Sequence, residues 1–432
     1  RHAAMRPHCR TIIARLSAIR KRDRVYHPAR GAVYADAATI ARHLTHRTIR
    51  RTLMLNVGRT MQIDTGRVRE TLITLFETPS YARDEAGVAA VVSARLAELG
   101  LCVESDDCHE RIGGNCGNLL CRVPGTVDGP TLLFNSHLDT VEPTDGLRLT
   151  VEEDAIRTDG TTILGGDDKA GVAAILCGVE AVLAAGLAHP PLELLFTVQE
   201  EIGLFGAKAV DRDWLRAEVG FVLDHGVPIG QMVVSAPSQT SHEIVFRGRA
   251  AHAGVEPARG VNAIACAAQA ITWLHQGRID HETTCNVGVI SGGKATNIVP
   301  EECRLKAEVR SRDQAKLEAQ VAHLRDCCER AAAQFGCELE FGHQEDYRTF
   351  RIDPEEPVGR MAAAGVRAAG LEPAWADGGG GSDANVFCAA GLRCLVMACG
   401  EREVHTHREY VLVSDVVAAA RVVAGIISAA AM

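Results

Sequence analysis

Leu164-Gly165-Gly166-Asp167-Asp168-Lys169-Ala170-Gly171 sets two adjacent aspartates between a glycine pair and the start of an alanine-rich apolar run. Residues 170–188 are nearly all apolar, with Glu180 near the centre. The length could span a bilayer, but the central charge and small flanking residues predict a helix buried against a sheet. Acids suit a helix N-terminus, and for an isolated Asp-Asp pair that reading would suffice. This pair is not isolated. Upstream lies Asn135-Ser136-His137-Leu138-Asp139-Thr140; downstream lie Gln199-Glu200-Glu201-Ile202-Gly203, Leu223-Asp224-His225-Gly226 and Val404-His405-Thr406-His407. Histidine and carboxylate without cysteine suit Zn, Mn or Co in a hydrolytic site.

These groups recur in one kind of position. Apolar runs at 131–134, 192–198, 221–223 and 392–397 read as buried strands, followed by His137, by Glu200 and Glu201, by Asp224, and by the loop holding His405. Helical patterns at 86–99, 169–187 and 205–210 alternate with them. Strands alternating with helices predict an α/β fold with a mostly parallel sheet. Sites in such sheets form beyond the carboxyl ends of the strands, where five separated segments can converge.

The chain has 432 residues, 47% of them hydrophobic, enough for two or three domains with ample core. Fifteen scattered cysteines with no CxxC spacing suggest buried, reduced thiols and a cytoplasmic protein. Residues 1–60 carry 14 Lys and Arg but only two acids, Asp23 and Asp36, which leaves the remainder strongly acidic. An acidic body does not suit nucleic acid, and no stretch other than 170–188 competes as a membrane span. Met61 opens a clean helix pattern through Phe76 with Asp64 or Thr65 as N-cap. The basic extension 1–60 is therefore expected to be translated upstream sequence outside the fold; an organellar targeting segment is the rival, a nucleic-acid-binding arm the third reading. From about Ser238 the acid-plus-histidine pattern stops, and it resumes near Gly378. Strands at 243–246, 286–290, 303–310 and 338–341 and helices at 261–275 and 314–335 fill the gap, which predicts an inserted α+β domain.

The sequence resembles the M20 metallopeptidases, and among them the peptidase T (aminotripeptidase) type. The resemblance runs from Met61 to the C-terminus. It rests on Asp159 to Gly171, the His137-x-Asp139 element, Glu200-Glu201, Gly380-Gly381-Ser382-Asp383-Ala384-Asn385 and His405-Thr406, in the family's order. It implies a catalytic domain in two parts, 61–237 and 349–432, and a lid and dimerisation domain at 238–348. It also implies two divalent metal ions, Zn foremost with Co or Mn as alternatives. His137, Asp167 and Asp224 would hold one and Asp167, Glu201 and His405 the other. Asp139 would orient His137. A water activated by the metals would be the nucleophile and Glu200 the general base. His252 would reach a substrate oxygen, in dimers often across the subunit interface. Asn297 and Arg310 would bind substrate polar groups, and Gly380 and Gly381 the substrate backbone. The implied activity is removal of the N-terminal residue from short peptides. An M20 carboxypeptidase, an N-acyl amino acid deacylase and a non-catalytic metal- or peptide-binding protein are the alternatives.

The chemistry agrees with the residue types. Two divalent ions roughly 3.5–4 Å apart need a bridging anionic group, which Asp167 supplies. The residues alone do not decide which of Glu200 and Glu201 is base and which is ligand. Single residues also have plainer readings: Glu200-Glu201 as a solvated pair, Asp224 as a turn cap, His252 and Arg310 as exposed polar groups, and His407 as a rival to His405. His225 reads as a bystander. The joint pattern, rather than any one residue, carries the assignment.

Overall fold

The structure, a computed structural model, describes residues 62–431. The readings of residues 1–60, and of a start at Met61, lie outside the described residues. Helix α1 (Thr65–Phe76) starts where its cap demands: the Asp64 carboxylate accepts from Gly66 N at 2.8 Å and Arg67 N at 3.2 Å. Helix α2 (Ala86–Glu98) follows, then the single turn α3 (His109–Ile112).

A nine-stranded sheet carries the main core. Its order is β1 (Val103–Ser105), β2 (Leu119–Val123), β6 (Leu192–Thr197), β3 (Leu132–His137), β7 (Val219–Leu223), β17 (Arg393–Met397), β8 (Gln231–Ala236) and β15 (Phe350–Arg351), with β16 (Ala374–Asp377) also on β8. The four central strands β6, β3, β7 and β17 are mutually parallel, and antiparallel neighbours flank them. These four are buried almost throughout, as strands covered on both faces must be. Helix α4 (Gly166–Ala185) packs on β3 and against α1 and α10 (Val413–Ala429). The 170–188 run is thus a core helix, and among the described residues no helix is long and apolar enough to cross a membrane.

β17 enters the sheet between β7 and β8, although some 160 residues separate it from both in sequence. Asp224 N donates to Met397 O at 3.3 Å and Cys399 N to His225 O at 2.8 Å. This strand draws the segment leading to His405 alongside Asp224.

Between β8 and β15 the chain builds a second layer. A six-stranded antiparallel sheet runs β10 (Gly277–Arg278), β11 (Thr283–Gly292), β12 (Glu302–Ser311), β9 (Ser238–Arg247) and β13 (Glu338–Phe341), with β14 (Gln344–Tyr347) also on β9. Helices α6 (Ala263–Trp273) and α7 (Gln314–Phe335) cover it over a core of its own, including Ile244, Phe246, Leu305, Val309 and Leu324. A small sheet, β18 (Glu401–Arg402), β19 (Tyr410–Leu412), β5 (Ala155–Thr158) and β4 (Leu149–Val151), anchors both ends of the loop holding His405. The short α5 (Phe205–Ala209) and the helices α8 (Pro357–Ala368) and α9 (Asp383–Ala389) complete the fold; α9 packs on β7 and β17.

Candidate active site

The strand order brings the predicted groups to one edge. His137 ends β3, Glu200 and Glu201 follow β6, Asp224 follows β7, Asp167 sits in the first turn of α4, and His405 lies in the β18–β19 loop at φ +59°. His137 Nε2 is 3.0 Å from Asp167 Oδ1, while His405 Nε2 is 3.2 Å from Asp167 Oδ2 and 3.1 Å from Glu201 Oε1. Ligand atoms of His137, Asp167 and Asp224 lie within 4.8 Å of one another, as do those of Asp167, Glu201 and His405. Asp167 belongs to both groups. His407 turns away to Glu142 at 3.5 Å, and His225 bonds Gln231 at 2.9 Å. The Asp167–Asp168 peptide is cis.

Asp139 is fully buried. Its carboxylate accepts from Glu200 N at 2.9 Å and Glu201 N at 3.1 Å, and so fixes the turn that presents both glutamates. His137 Nδ1 approaches the Asp139 backbone oxygen at 3.0 Å more closely than the carboxylate at 3.5 Å. Asp139 therefore touches the imidazole mainly through its main chain.

The charges are unbalanced. Burial, with Asp224, Asp383 and Glu201 nearby, pushes Glu200 well above the usual carboxylate range despite His137. Burial and Asp167 do the same to Asp224. Burial opposes ionisation of Asp167, but His137 and His405 outweigh it and hold Asp167 low. Asp167 and Glu201 push His405 up to about 10. Among the described residues no Lys or Arg pairs with Asp167, Glu200, Glu201 or Asp224. Buried carboxylates require compensation, and the O/N donor set fits divalent cations.

Two buried carboxylates support the site. Glu409 is buried, and its carboxylate accepts from Leu164 N at 2.9 Å, Gly165 N at 2.7 Å and Asp167 N at 3.0 Å. It clamps the loop bearing Asp167; the only sequence signal was an acid following His405-Thr406. Asp168 holds α4 to β3. Its carboxylate accepts from Ser136 Oγ at 2.5 Å, His137 N at 3.2 Å and Gly171 N at 3.1 Å. Asp168, Cys399 and Glu401 also lie within reach of one another. The donors already on Asp168, and a thiol that burial keeps protonated, make that group a hydrogen-bonded support.

A cleft of about 340 Å³ opens beside the cluster, lined by Asp167, Asp224, Gly380, Gly381, Ser382 and Glu401 among others. Gly381 packs against the Tyr347 ring, and a Cβ there would lie 2.3 Å from it. Arg310 pairs with Glu308 on its own strand at 2.9 and 3.0 Å. His252 is exposed, and Asn297 O accepts from Ala253 N at 2.9 Å. Neither His252 nor Asn297 lines the cleft within this chain.

Residues 238–335 match the M20 peptidase dimerisation domain. Residues 146–243, the segment with Asp167, Glu200, Glu201 and Asp224, match the M42 glutamyl aminopeptidase model. Whole-length relatives decide between them. Aminopeptidase PepT from Bacillus cereus ATCC 10987 is 37% identical with a TM-score of 0.80, over 86% of this chain and all of its own. The chain belongs to the M20 peptidases, in their peptidase T-like group. This M20 peptidase also resembles a tripeptidase from Staphylococcus aureus subsp. aureus Mu50, at 34% identity and a TM-score of 0.83, covering 86% of this chain and 100% of that one. Among curated proteins it is 38% identical to the uncharacterised YqjE of Bacillus subtilis (strain 168), over 85% of this chain and 100% of YqjE. It is 26% identical to a peptidase T of Vibrio cholerae, over 78% of this chain and 88% of that protein. As an M20 member it is a metallopeptidase.

Proposed function

We propose that this metallopeptidase removes the N-terminal residue from short peptides, tripeptides foremost. The observation that carries the reading is the pair of ligand groups sharing Asp167, with Glu200 on the adjoining turn. The full-length likeness to an aminopeptidase and a tripeptidase supports the substrate class. His137, Asp167 and Asp224 hold one divalent ion, and Asp167, Glu201 and His405 the second, with Zn favoured by the His-carboxylate set. Ions bound there supply Lewis-acid polarisation and lower the pKa of water.

The remaining steps fall to the chain's own groups. Glu200, kept off the ligand positions by the Asp139 clamp, takes the proton of the attacking water and passes it to the leaving amine. Burial raises its proton affinity toward that of a useful general base. Gly380 and Gly381 offer a pliable wall for the substrate backbone. The 238–348 unit serves as lid and joins two chains in a homodimer. His252 and Asn297, outside the cleft of the single chain, then act on a partner's substrate, and Arg310 is freed from Glu308 to meet a carboxylate.

The test is metal content and hydrolysis of a free-amine tripeptide beside its N-acetylated form. About two metals per chain with cleavage of only the free peptide is expected, and Glu200→Gln should keep the metals yet lower kcat at least about 100-fold. Cleavage of only the acetylated form would move the chain to a deacylase or carboxypeptidase reading. Unchanged kcat in Glu200→Gln would remove the base assignment.

A further inference from the structure

Glu401 is a carboxylate of the cleft that the proposed chemistry leaves unused. Its side chain is buried, with the residue 5% exposed, yet it contributes to the cleft wall beside Asp224 and Asp167. Oε1 accepts from the Cys399 thiol at 2.9 Å. Among the described residues Oε2 has no hydrogen-bond partner, and no Lys, Arg or His pairs with either oxygen. The position is rigidly built. β17 is inserted next to β7, and Cys399 N and Gly400 N donate to His225 O at 2.8 Å and Gly226 O at 3.2 Å. β18 then pairs with β19 at Glu401 and Val411.

Other acids at the cleft are accounted for. Asp167 and Asp224 belong to the ligand groups, and Glu403 is exposed and pairs with Arg408 at 3.2 Å. A buried carboxylate on a residue of the cleft wall, with one oxygen lacking a partner among the described residues, calls for a cationic hydrogen-bond donor. The substrate class argued above brings one such group, its α-ammonium.

We infer that Glu401 is the specificity-determining residue that receives the substrate's N-terminal ammonium, on the Asp224 side of the cleft. The inference rests on the exopeptidase reading. A site built to bond a charged amine rejects an analogue lacking it far more strongly than a purely apolar pocket rejects a size change.

The test compares a tripeptide with its des-amino analogue, in which hydrogen replaces the α-amine, on the metal-loaded full chain. Wild type should prefer the free-amine peptide. Glu401→Gln should raise KM for that peptide at least about 10-fold, with kcat and metal content little changed and the des-amino analogue unaffected. Glu401→Asp, which keeps the charge, should restore part of the preference and serves as the deciding variant should Glu401→Gln fail to fold. A parallel fall on both substrates, or no change on either, would overturn the assignment while leaving aminopeptidase activity standing. Failure of the wild type itself to cleave free-amine peptides would instead overturn the exopeptidase reading, and this inference with it.

Discussion

Glu409 offers the sharpest test of how the site is held. Its two carboxylate oxygens take three backbone N–H groups of residues 164–167, more than 240 residues away in sequence. Glu409→Ala strands all three donors in a buried loop. Each unsatisfied donor costs about 1–3 kcal/mol; the low end applies, because water can follow the lost side chain, so the sum is about 3 kcal/mol. Burial pushes the Glu409 carboxyl up to about 6, so relief from burying that charge offsets part of the loss. Glu409→Gln keeps the shape, but its NH2 must face one of the donors, so about 1–2 kcal/mol should go. Because Asp167 N is one of the three, metal affinity should also fall, by about 10- to 100-fold. Denaturant unfolding of the metal-free protein and a metal titration read the two effects separately. Unfolding within about 0.5 kcal/mol of wild type, together with unchanged metal affinity in Glu409→Ala, would refute the clamp.

Two further outcomes follow from the same geometry. Gly381→Ala places a Cβ 2.3 to 2.7 Å from the Tyr347 ring, whereas Gly380 has open space. Gly381→Ala should therefore cost about 1–3 kcal/mol of stability and Gly380→Ala no comparable amount; equal thermal shifts in the two would refute this packing. In the β9–β13 unit, burial, the neighbouring His343 and Arg325 push His242 down to about 4, against a pull upward from the Gly342 backbone and Asp346. The unfolded chain binds this proton near pH 6.5 and the folded chain only near 4, so stability is full above about 6.5 and falls as pH drops through that window, by up to about 3 kcal/mol. Urea midpoints at pH 7 and pH 5 should differ, and His242→Gln should flatten the difference; an unaltered slope in the variant would count against it.

The elements that could be read from the sequence share a physical trait. The central strands β3, β6, β7 and β17 are buried on both faces and spell unbroken apolar runs, and α7 carries an amphipathic stripe over 22 residues. Their bounds fall within three residues of those expected. What escaped was set by distant partners. The passage to the second layer is legible at about Ser238, where β9 begins, but strand β8 just before it is not. The small sheet β4–β5–β19–β18 consists of two- to four-residue pieces without a period of their own. The cluster of His137, Asp167, Glu201, Asp224 and His405 was reached through family order along the chain; spacing alone left Glu200 and Glu201 interchangeable. Glu401 and Glu409 gave no comparable signal, because what matters about each is a contact that exists only after β17 has entered the sheet.

That late entry bears on how the polypeptide is made. Synthesis runs from the N-terminus, and domains generally fold as units as they emerge. β7 and β8 are complete long before β17 appears, and the whole second layer is built in between. A nascent chain with that layer finished still has an unfilled slot at the heart of its main sheet. It also lacks His405, the Glu409 clamp, and Glu401 from the wall of the cleft. Closing the slot is a long-range event of the kind that slows folding, and it precedes completion of the second ligand group, which needs His405. A chain that stops short of residue 405 can therefore be extensively folded and still lack the second ligand group.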